Sequence, residues 1–242
     1  MNSKSLSGVR LVVFDLDGTL IDSEMDLAQS VNATRKHLGL DPLPLELVAT
    51  YVGQGVTTLI RRSLGPEASE ETIERSVAFF LDYYGDHMLD HTKMYSGVRE
   101  ALDALDGRTL AVLTNKPVNF SRRILQRLSL DSCFAFIYGG NSFDQKKPDP
   151  VGLLRLMEDT GASPPATMIV GDSDVDIQTG RNAGTWTCAV TYGLGAHTLA
   201  QSSPDLVVDD LRKLASLLNR AESANLPPSP LPAGETGARS DG

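Results

Sequence analysis

The sequence predicts an α/β fold in which a parallel sheet carries helices on both faces. Short apolar runs rich in β-branched residues recur along the chain, and they alternate with segments whose apolar residues return every three or four positions. The first pattern is typical of strands buried on both faces, and regular alternation of strands with helices favours parallel pairing. The length of 242 residues is ample for a sizeable core. The predicted strands are 9–15, 109–115, 136–140, 167–172, 187–193 and 206–210.

One segment breaks this alternation and predicts an insertion. Residues 23–93 contain helical patterns and no convincing strand pattern. Ser23 and Asp26 resemble a capping box that would open the first of these helices. We therefore predict a discontinuous core domain, residues 1–22 and 94–220, with an α-helical cap domain inserted after the first strand. The predicted cap helices are 23–38, 45–51, 55–64 and 70–88.

Composition and charge exclude several classes of function. The net charge of −9 argues against sequence-independent binding of nucleic acid and against docking on anionic lipid. No apolar run is long enough to span a membrane, and the N-terminal segment lacks the features of a secretory signal, so we predict a cytoplasmic protein. Cys133 and Cys188 are too few for a disulfide framework, and their apolar surroundings predict two small buried residues.

The end of the chain has a different composition. It is rich in Pro, Gly and Ser and almost free of large apolar residues, so we predict that residues 221–242 form a disordered tail. A proline-rich ligand at Pro227 to Pro230 stays open as an alternative to a passive tail.

The sharpest chemical signal is the run from Asp15 to Thr19, which reads DLDGT. It follows the first predicted strand, and in open α/β sheets ligands bind at this edge. Two carboxylates two residues apart in an extended chain, Asp15 and Asp17, point to the same side. Their charges repel, and a divalent cation is the simplest group that offsets them. The alternative is a plain Asp-Gly turn.

Three further segments follow core strands or lie in loops beside them. Thr114 and Asn115 follow the second core strand, Lys147 lies in the run KKPDP, and Asp172 follows a later strand. Asp176 comes about one helical turn after Asp172, so both carboxylates can face one ion. Because the carboxyl ends of parallel strands meet at one edge, these groups are predicted to converge. The resulting set of acids, lysine, hydroxyl and backbone N–H groups suits an oxyanion held through Mg²⁺.

The order and spacing of these four motifs resemble the signature of the haloacid dehalogenase (HAD) superfamily of phosphohydrolases. The resemblance covers about residues 9–220 and implies a Rossmann-like, HAD-like core with a small α-helical cap. More narrowly, the runs FDLDGTLIDS, LTNKP and GDSDVDIQTGRNAG are similar to those of the phosphoglycolate phosphatase branch. The substrate implied is a small phosphorylated metabolite, and the oligomeric state stays open.

The resemblance also implies roles for individual residues. Asp15 would be the nucleophile that forms an aspartyl-phosphate, and Asp17 the general acid and base. Lys147 would offset the charge of the phosphoryl group, whose oxygens Thr114 and Asn115 would hold. The implied Mg²⁺ ligands are the side chains of Asp15 and Asp172, the backbone carbonyl of Asp17, and Asp176 directly or through water.

The cap is expected to close over the site and to recognise the leaving group. Gly53 and Gly55 suit a close approach of backbone to a small substrate. Arg61 or Arg62 could pair with a substrate carboxylate, although exposed helix arginines are the simpler interpretation.

Several alternatives stay open at this point. A phosphomutase would keep all four motifs, and sugar-phosphate, nucleotide and pyrophosphate hydrolases share most of them. A phosphonoacetaldehyde hydrolase needs a cap lysine, for which Lys36 is the interior candidate, and a haloalkanoate dehalogenase has no use for Asp17. A receiver-type switch domain lacks both the paired aspartates and the helical cap. A non-catalytic HAD scaffold is disfavoured because every catalytic position is intact.

Overall fold

A computed structural model describes residues 5–224 and confirms the α/β fold. Six parallel strands form one sheet in the order β5-β4-β1-β6-β7-β8, and each corresponds to a predicted strand. A separate antiparallel pair joins β2 to β3. The strands are β1 (Leu11–Phe14), β2 (Ile21–Asp22), β3 (Lys93–Met94), β4 (Thr109–Leu113), β5 (Phe136–Tyr138), β6 (Thr167–Gly171), β7 (Trp186–Val190) and β8 (Leu206–Val208).

The helices fall into two groups. Of the helices in residues 5–224, four lie between β2 and β3 and make up the segment predicted as the cap: α1 (Glu24–His37), α2 (Leu45–Ala49), α3 (Val56–Leu64) and α4 (Glu70–His87). Five follow β3 and surround the sheet: α5 (Val98–Ala104), α6 (Val118–Arg127), α7 (Val151–Thr160), α8 (Asp174–Ala183) and α9 (Leu211–Ser223). Short 3₁₀ helices occupy Leu6–Gly8, Asp131–Cys133, Pro164–Ala166 and Ala196–Gln201.

The central strand β1 is buried on both faces, which explains its unbroken apolar sequence. It pairs with β4 on one side and with β6 on the other. Val12 and Phe14 pack into the larger apolar cluster, whereas Leu11 and Val13 pack into the smaller one on the opposite face. Burial from both sides fixes the strand, so the residue that follows it, Asp15, is held at the carboxyl edge of the sheet.

The antiparallel pair β2–β3 closes the base of the cap. Ile21 pairs with Met94 and Asp22 with Lys93. The sequence predicted no strand there, because a strand of two residues is too short to show an alternating pattern. The chain thus enters and leaves the cap side by side, at the two crossings that the sequence pattern marks near Asp22 and Met94.

The predicted capping box at the start of α1 is wrong. The Ser23 side chain makes no capping hydrogen bond, and its hydroxyl donates instead to Asp17 Oδ1 at 2.6 Å. The buried Asp26 carboxylate accepts hydrogen bonds from the backbone N–H groups of His91 and Thr92 and from the Thr92 hydroxyl. Both side chains therefore serve tertiary contacts, and Asp26 ties α1 to the segment before β3.

The predicted boundary of the C-terminal tail is too early. Helix α9 continues through Ser223, and Glu222 forms ion pairs with Arg108 at 2.8 Å and Arg10 at 3.5 Å. The remainder of the predicted tail, including the proline-rich run Pro227 to Pro230, lies outside the described residues.

Two other predictions concern cysteines and membranes. Cys188 is buried as predicted, but Cys133 is partly exposed beside the Arg99 guanidinium at 3.2 Å. Within residues 5–224, none of the helices combines the length and apolar character that crossing a membrane requires.

Candidate active site

The predicted site residues meet at the carboxyl edge of the sheet. Asp15 follows β1, Thr114 and Asn115 follow β4, and Asp172 follows β6. Lys147 reaches the same place from the loop between β5 and α7. All five residues are buried. Polar and charged side chains are rarely buried unless they are paired, so we expect these residues to form hydrogen bonds and ion pairs with their neighbours.

Three carboxylates form a compact cluster around one ammonium group. Asp15, Asp172 and Asp176 each offer an oxygen within 4.8 Å of the others. Lys147 Nζ lies 2.9 Å from Asp15 Oδ1 and 2.5 Å from Asp176 Oδ1. Ser173 donates to Asp176 Oδ2 from its backbone N–H at 3.2 Å and from its hydroxyl at 2.6 Å, which fixes this carboxylate at the start of α8.

The electrostatics of this cluster favour a bound cation. Burial raises the pKa of Asp15 to about 6, with Lys147 opposing the rise and Asp176 adding to it. Burial, followed by the charges of Asp176 and Asp15, raises the pKa of Asp172 well above its usual value. Burial alone would lower the pKa of Lys147, but the two carboxylates it contacts outweigh burial and raise it.

One ammonium group does not balance three carboxylates. Hard divalent cations take carboxylate oxygens as ligands, and the spacing of these oxygens allows one ion to contact all three residues. The cluster formed by Asp15, Asp172 and Asp176 therefore fits a divalent metal ion by its charge and by its donor atoms.

Glycines let the backbone close tightly around Asp172. Gly18 has a φ of +83°, and a Cβ there would lie 2.0 Å from Asp172 Oδ2. A Cβ at Gly193 would lie 2.2 Å from the Gly18 carbonyl oxygen and 2.3 Å from Asp172 Cβ. The Gly195 N–H donates to Asp172 Oδ2 at 2.7 Å. The loop after β7 thus belongs to the site, a role that the sequence analysis missed although the run Thr191-Tyr192-Gly193 carries the signal.

Asp17 stands apart from the carboxylate cluster and has its own partners. Lys116 Nζ donates to Asp17 Oδ1 at 3.0 Å and to Oδ2 at 3.1 Å, and the Ser23 hydroxyl donates to Oδ1. Lys116 is buried, and its ammonium lies 4.5 Å from the centroid of the Tyr84 ring, which α4 of the cap supplies. Core and cap therefore meet at this ion pair.

Lys116 is a residue that sequence reasoning missed. It lies two positions after Thr114 within a motif that the sequence singled out, but nothing in the sequence distinguishes it from a loop lysine exposed to solvent. Burial works against its charge, but the nearby Asp17 carboxylate outweighs burial and raises the pKa of Lys116 above the usual range.

A cleft opens over Asp15 and Asp17, between the sheet edge and the cap. The structure places the predicted residues Gly53, Gly55, Thr114 and Asn115 in its lining. The remaining lining residues are Leu27, Val52, Val56, Leu59 and Lys116.

Asn115 connects three parts of this cleft. Its side-chain amide donates to the Gly53 carbonyl at 2.9 Å and to the Lys147 carbonyl at 3.0 Å. Its Oδ1 accepts a hydrogen bond from the Lys147 backbone N–H at 3.0 Å. The Asn115 side chain therefore holds two loops in position: the cap loop that contains Gly53, and the loop between β5 and α7 that contains Lys147.

The structure does not bring Arg61 to the cleft. Its guanidinium donates to both carboxylate oxygens of Glu70 at 2.5 and 2.8 Å on the exposed surface of the cap. Arg62 donates to Gln54 Oε1 at 2.9 Å. On α3 the buried residues are Leu59, Ile60 and Ser63, so the two arginines between them face outward.

A parallel sheet with a buried carboxylate cluster at its carboxyl edge is typical of α/β enzymes whose active site lies at that edge. The chain belongs to the haloacid dehalogenase-like hydrolases, whose family model matches residues 12–190.

Individual relatives agree with this assignment. A phosphoglycolate phosphatase from Pseudomonas putida is 41% identical over 214 residues, which cover 85% of this chain and 78% of the relative. One from Chromobacterium violaceum is 38% identical over 221 residues, which cover 88% and 98%. The crystal structure of a predicted phosphoglycolate phosphatase from Haemophilus somnus superimposes with a TM-score of 0.82 at 34% identity and covers 87% of this chain and 98% of its own.

Proposed function

We propose that this protein is a Mg²⁺-dependent phosphatase that hydrolyses a small phosphate monoester, with 2-phosphoglycolate as its substrate. The observation that carries the proposal is the placement of Asp15 at the floor of a cleft, in contact with Lys147 and inside the three-carboxylate cluster. The names of the relatives from Pseudomonas putida and Chromobacterium violaceum support the choice of ester.

Asp15 is the proposed nucleophile. A carboxylate needs no base to activate it, and its attack on phosphorus releases the alcohol and leaves an aspartyl-phosphate. Lys147 contacts Asp15 at 2.9 Å, so its charge lies next to the phosphorus that Asp15 attacks and offsets the negative charge brought by the phosphoryl group. The Thr114 hydroxyl and the Asn115 backbone N–H lie beside the same edge and are proposed to hold phosphoryl oxygens.

Asp17 is the proposed general acid and base. It gives a proton to the departing ester oxygen, and then takes one from the water that attacks the aspartyl-phosphate. Lys116 and Ser23 contact its carboxylate from two sides and hold it in a single orientation. Such positioning matters because proton transfer requires hydrogen-bond distance to the reacting oxygen.

Asp15 and Asp172 are proposed to hold Mg²⁺ with their side chains, and Asp176 directly or through a water molecule. The backbone carbonyl of Asp17 is the further proposed ligand. An ion held there would supply electrostatic stabilisation for the negative charge on the phosphoryl oxygens. The apolar cap residues Val52, Val56 and Leu59 exclude bulk water from the reacting groups. The division into core and cap domains at residues 23 and 93, and a cytoplasmic location, stay predictions.

The test is phosphate release from a panel of esters, measured with Mg²⁺ and with EDTA. The panel contains 2-phosphoglycolate, sugar phosphates, nucleoside monophosphates and pyrophosphate. We expect metal-dependent release and a preference for 2-phosphoglycolate of about a hundredfold in kcat/KM, which is about 2.7 kcal/mol of transition-state discrimination. Asp15→Asn is the control for contaminating phosphatases. A flat metal-dependent profile would contradict the choice of substrate, and no release from any ester would contradict the phosphatase function.

A further inference from the structure

The cleft contains a buried cation that the proposed chemistry uses only indirectly. The Lys116 side chain is 4% exposed, lines the cleft, and contacts Asp17 through its ammonium group. An ammonium group has three donors, and burying its charge is costly unless it is paired. Asp17 accepts from this ammonium group with its two oxygens, which leaves one donor for an anion that enters the cleft.

The other cations near the site lie in different places. Lys147 is paired with Asp15 and Asp176. Arg61, the sequence candidate for a substrate carboxylate, is paired with Glu70 on the outer surface of the cap. Among the described residues that line the cleft over Asp15 and Asp17, Lys116 is the sole cation.

The position of Lys116 matches the geometry of a carboxylated leaving group. Its ammonium contacts Asp17, which is proposed to protonate the ester oxygen. In 2-phosphoglycolate a single methylene carbon separates that oxygen from the carboxylate, so the carboxylate must lie close to the proton donor. The neighbouring walls, Val52, Val56 and Leu59, are apolar and offer it no side-chain partner.

We propose that Lys116 binds the carboxylate of the leaving group and thereby selects esters whose alcohol carries a negative charge. The inference rests on the proposed phosphatase function and assigns the recognition of the leaving group to a core residue. The cap contributes Tyr84, whose ring lies against the same ammonium and limits its movement. A charge pair in a cleft that excludes water is stronger than the same pair on the surface.

A role of Lys116 in positioning Asp17 and a role in binding the substrate carboxylate predict different results. If Lys116 only positions Asp17, its loss slows the reaction of every ester by the same factor. If Lys116 binds the carboxylate, its loss penalises the ester with a charged leaving group more than the ester with a neutral one. The ratio of kcat/KM for two such esters, measured on one preparation, is independent of the fraction of folded enzyme.

The experiment compares 2-phosphoglycolate with 2-phosphoglycolamide, in which a neutral amide replaces the carboxylate. We expect the wild type to prefer the acid, and Lys116→Met to lower kcat/KM for the acid about thirtyfold more than for the amide, largely through KM. Lys116→Arg, which keeps the charge, should restore part of the preference. The matched control is Lys146→Met, because Lys146 is an exposed lysine whose ammonium lies at the cleft rim near Gly55. It should change the ratio less than about threefold.

Two sets of results would overturn the proposal. Equal losses for both esters in Lys116→Met would assign Lys116 to the positioning of Asp17 alone, and a lost preference in Lys146→Met would assign the carboxylate to the rim lysine. A wild type that hydrolyses both esters equally with Mg²⁺ would refute the role of Lys116 while leaving the phosphatase function intact. Release of phosphate from neither ester, nor from any other in the panel, would refute the phosphatase function itself.

Discussion

The buried Asp26 carboxylate provides a sharp test of how the cap is attached to the core. Asp26 on α1 accepts hydrogen bonds from the Thr92 N–H at 2.8 Å, from the Thr92 hydroxyl at 2.7 Å, and from the His91 N–H at 3.0 and 3.1 Å. The His91 ring contacts the same carboxylate at 2.9 Å. Asp26→Ala removes every one of these acceptors without changing the charge of any donor.

The expected loss of stability follows from the donors that would lose their partner. The Thr92 N–H and hydroxyl are buried, whereas the His91 ring is half exposed and can bind water instead. Each buried donor left without an acceptor costs about 1–3 kcal/mol, so Asp26→Ala should lower the free energy of unfolding by about 4 kcal/mol. For a chain of this size that corresponds to a fall in Tm of roughly 8–16 °C.

The dependence on pH has a defined sign. Burial alone would raise the pKa of Asp26, but the hydrogen bonds from Thr92 and His91 outweigh it and hold the pKa below its usual value. A carboxyl with a depressed pKa in the folded state stabilises the fold above its unfolded pKa of about 3.9, and that contribution is lost as the pH falls. The difference in stability between wild type and Asp26→Ala should therefore shrink between about pH 7 and about pH 3.

The assay is thermal and urea unfolding followed by circular dichroism at both pH values. Asp90→Ala is the matched control, because Asp90 also contacts a histidine, His87, at 2.8 Å, but both side chains are exposed. Its cost should stay below about 1 kcal/mol. A loss in Asp26→Ala no larger than in the control, or a stability difference that grows at low pH, would refute this account of the Asp26 contacts.

Three further predictions concern the active site. Burial raises the pKa of Asp15 to about 6, so ionisation of this carboxyl lowers the stability of the fold as the pH rises from about 4 to about 6. In EDTA, the difference in Tm between Asp15→Asn and wild type should therefore favour the variant more near pH 7.5 than near pH 4. An unchanged difference would contradict the raised pKa. Gly193→Ala places a methyl group 2.3 Å from Asp172 Cβ and should lower kcat about a hundredfold with unchanged circular dichroism, so a wild-type rate would show that Asp172 need not stay in place. Ser23→Ala removes the 2.6 Å hydrogen bond to Asp17 and should lower kcat about tenfold in a steady-state assay, whereas an unchanged rate would show that Asp17 is positioned without it.

The sheet, and the meeting of the motifs at one of its edges, could be predicted from the sequence because both depend mainly on where the strands end. The apolar run of β1 needs burial on both faces, and parallel neighbours then bring Asp15, Asp172 and Thr114 to one edge whatever their rotamers. No knowledge of side-chain packing enters this inference. The compact carboxylate cluster is the direct result.

The features that the sequence did not reveal depend on contacts between distant residues. Lys116 is distinguished only by Tyr84, which belongs to the cap, and by the Asp17 carboxylate on another strand end. Arg61 turns away from the cleft because Glu70, in the next helix, provides a carboxylate for its guanidinium. Glu222, in the last turn of α9, pairs with Arg108, a residue more than a hundred positions earlier.

The most direct test of the central claim is to trap phosphate on Asp15. Wild type and Asp17→Asn would be mixed with Mg²⁺ and 2-phosphoglycolate carrying labelled phosphorus, quenched in acid within milliseconds, and digested for peptide mapping. We predict label on the peptide that contains Asp15 in the wild type. Asp17→Asn lacks both the general acid and the general base, so label should form more slowly there and persist longer once formed. Label on a different peptide, or phosphate release in the first turnover with no labelled protein, would contradict the assignment of Asp15 as nucleophile.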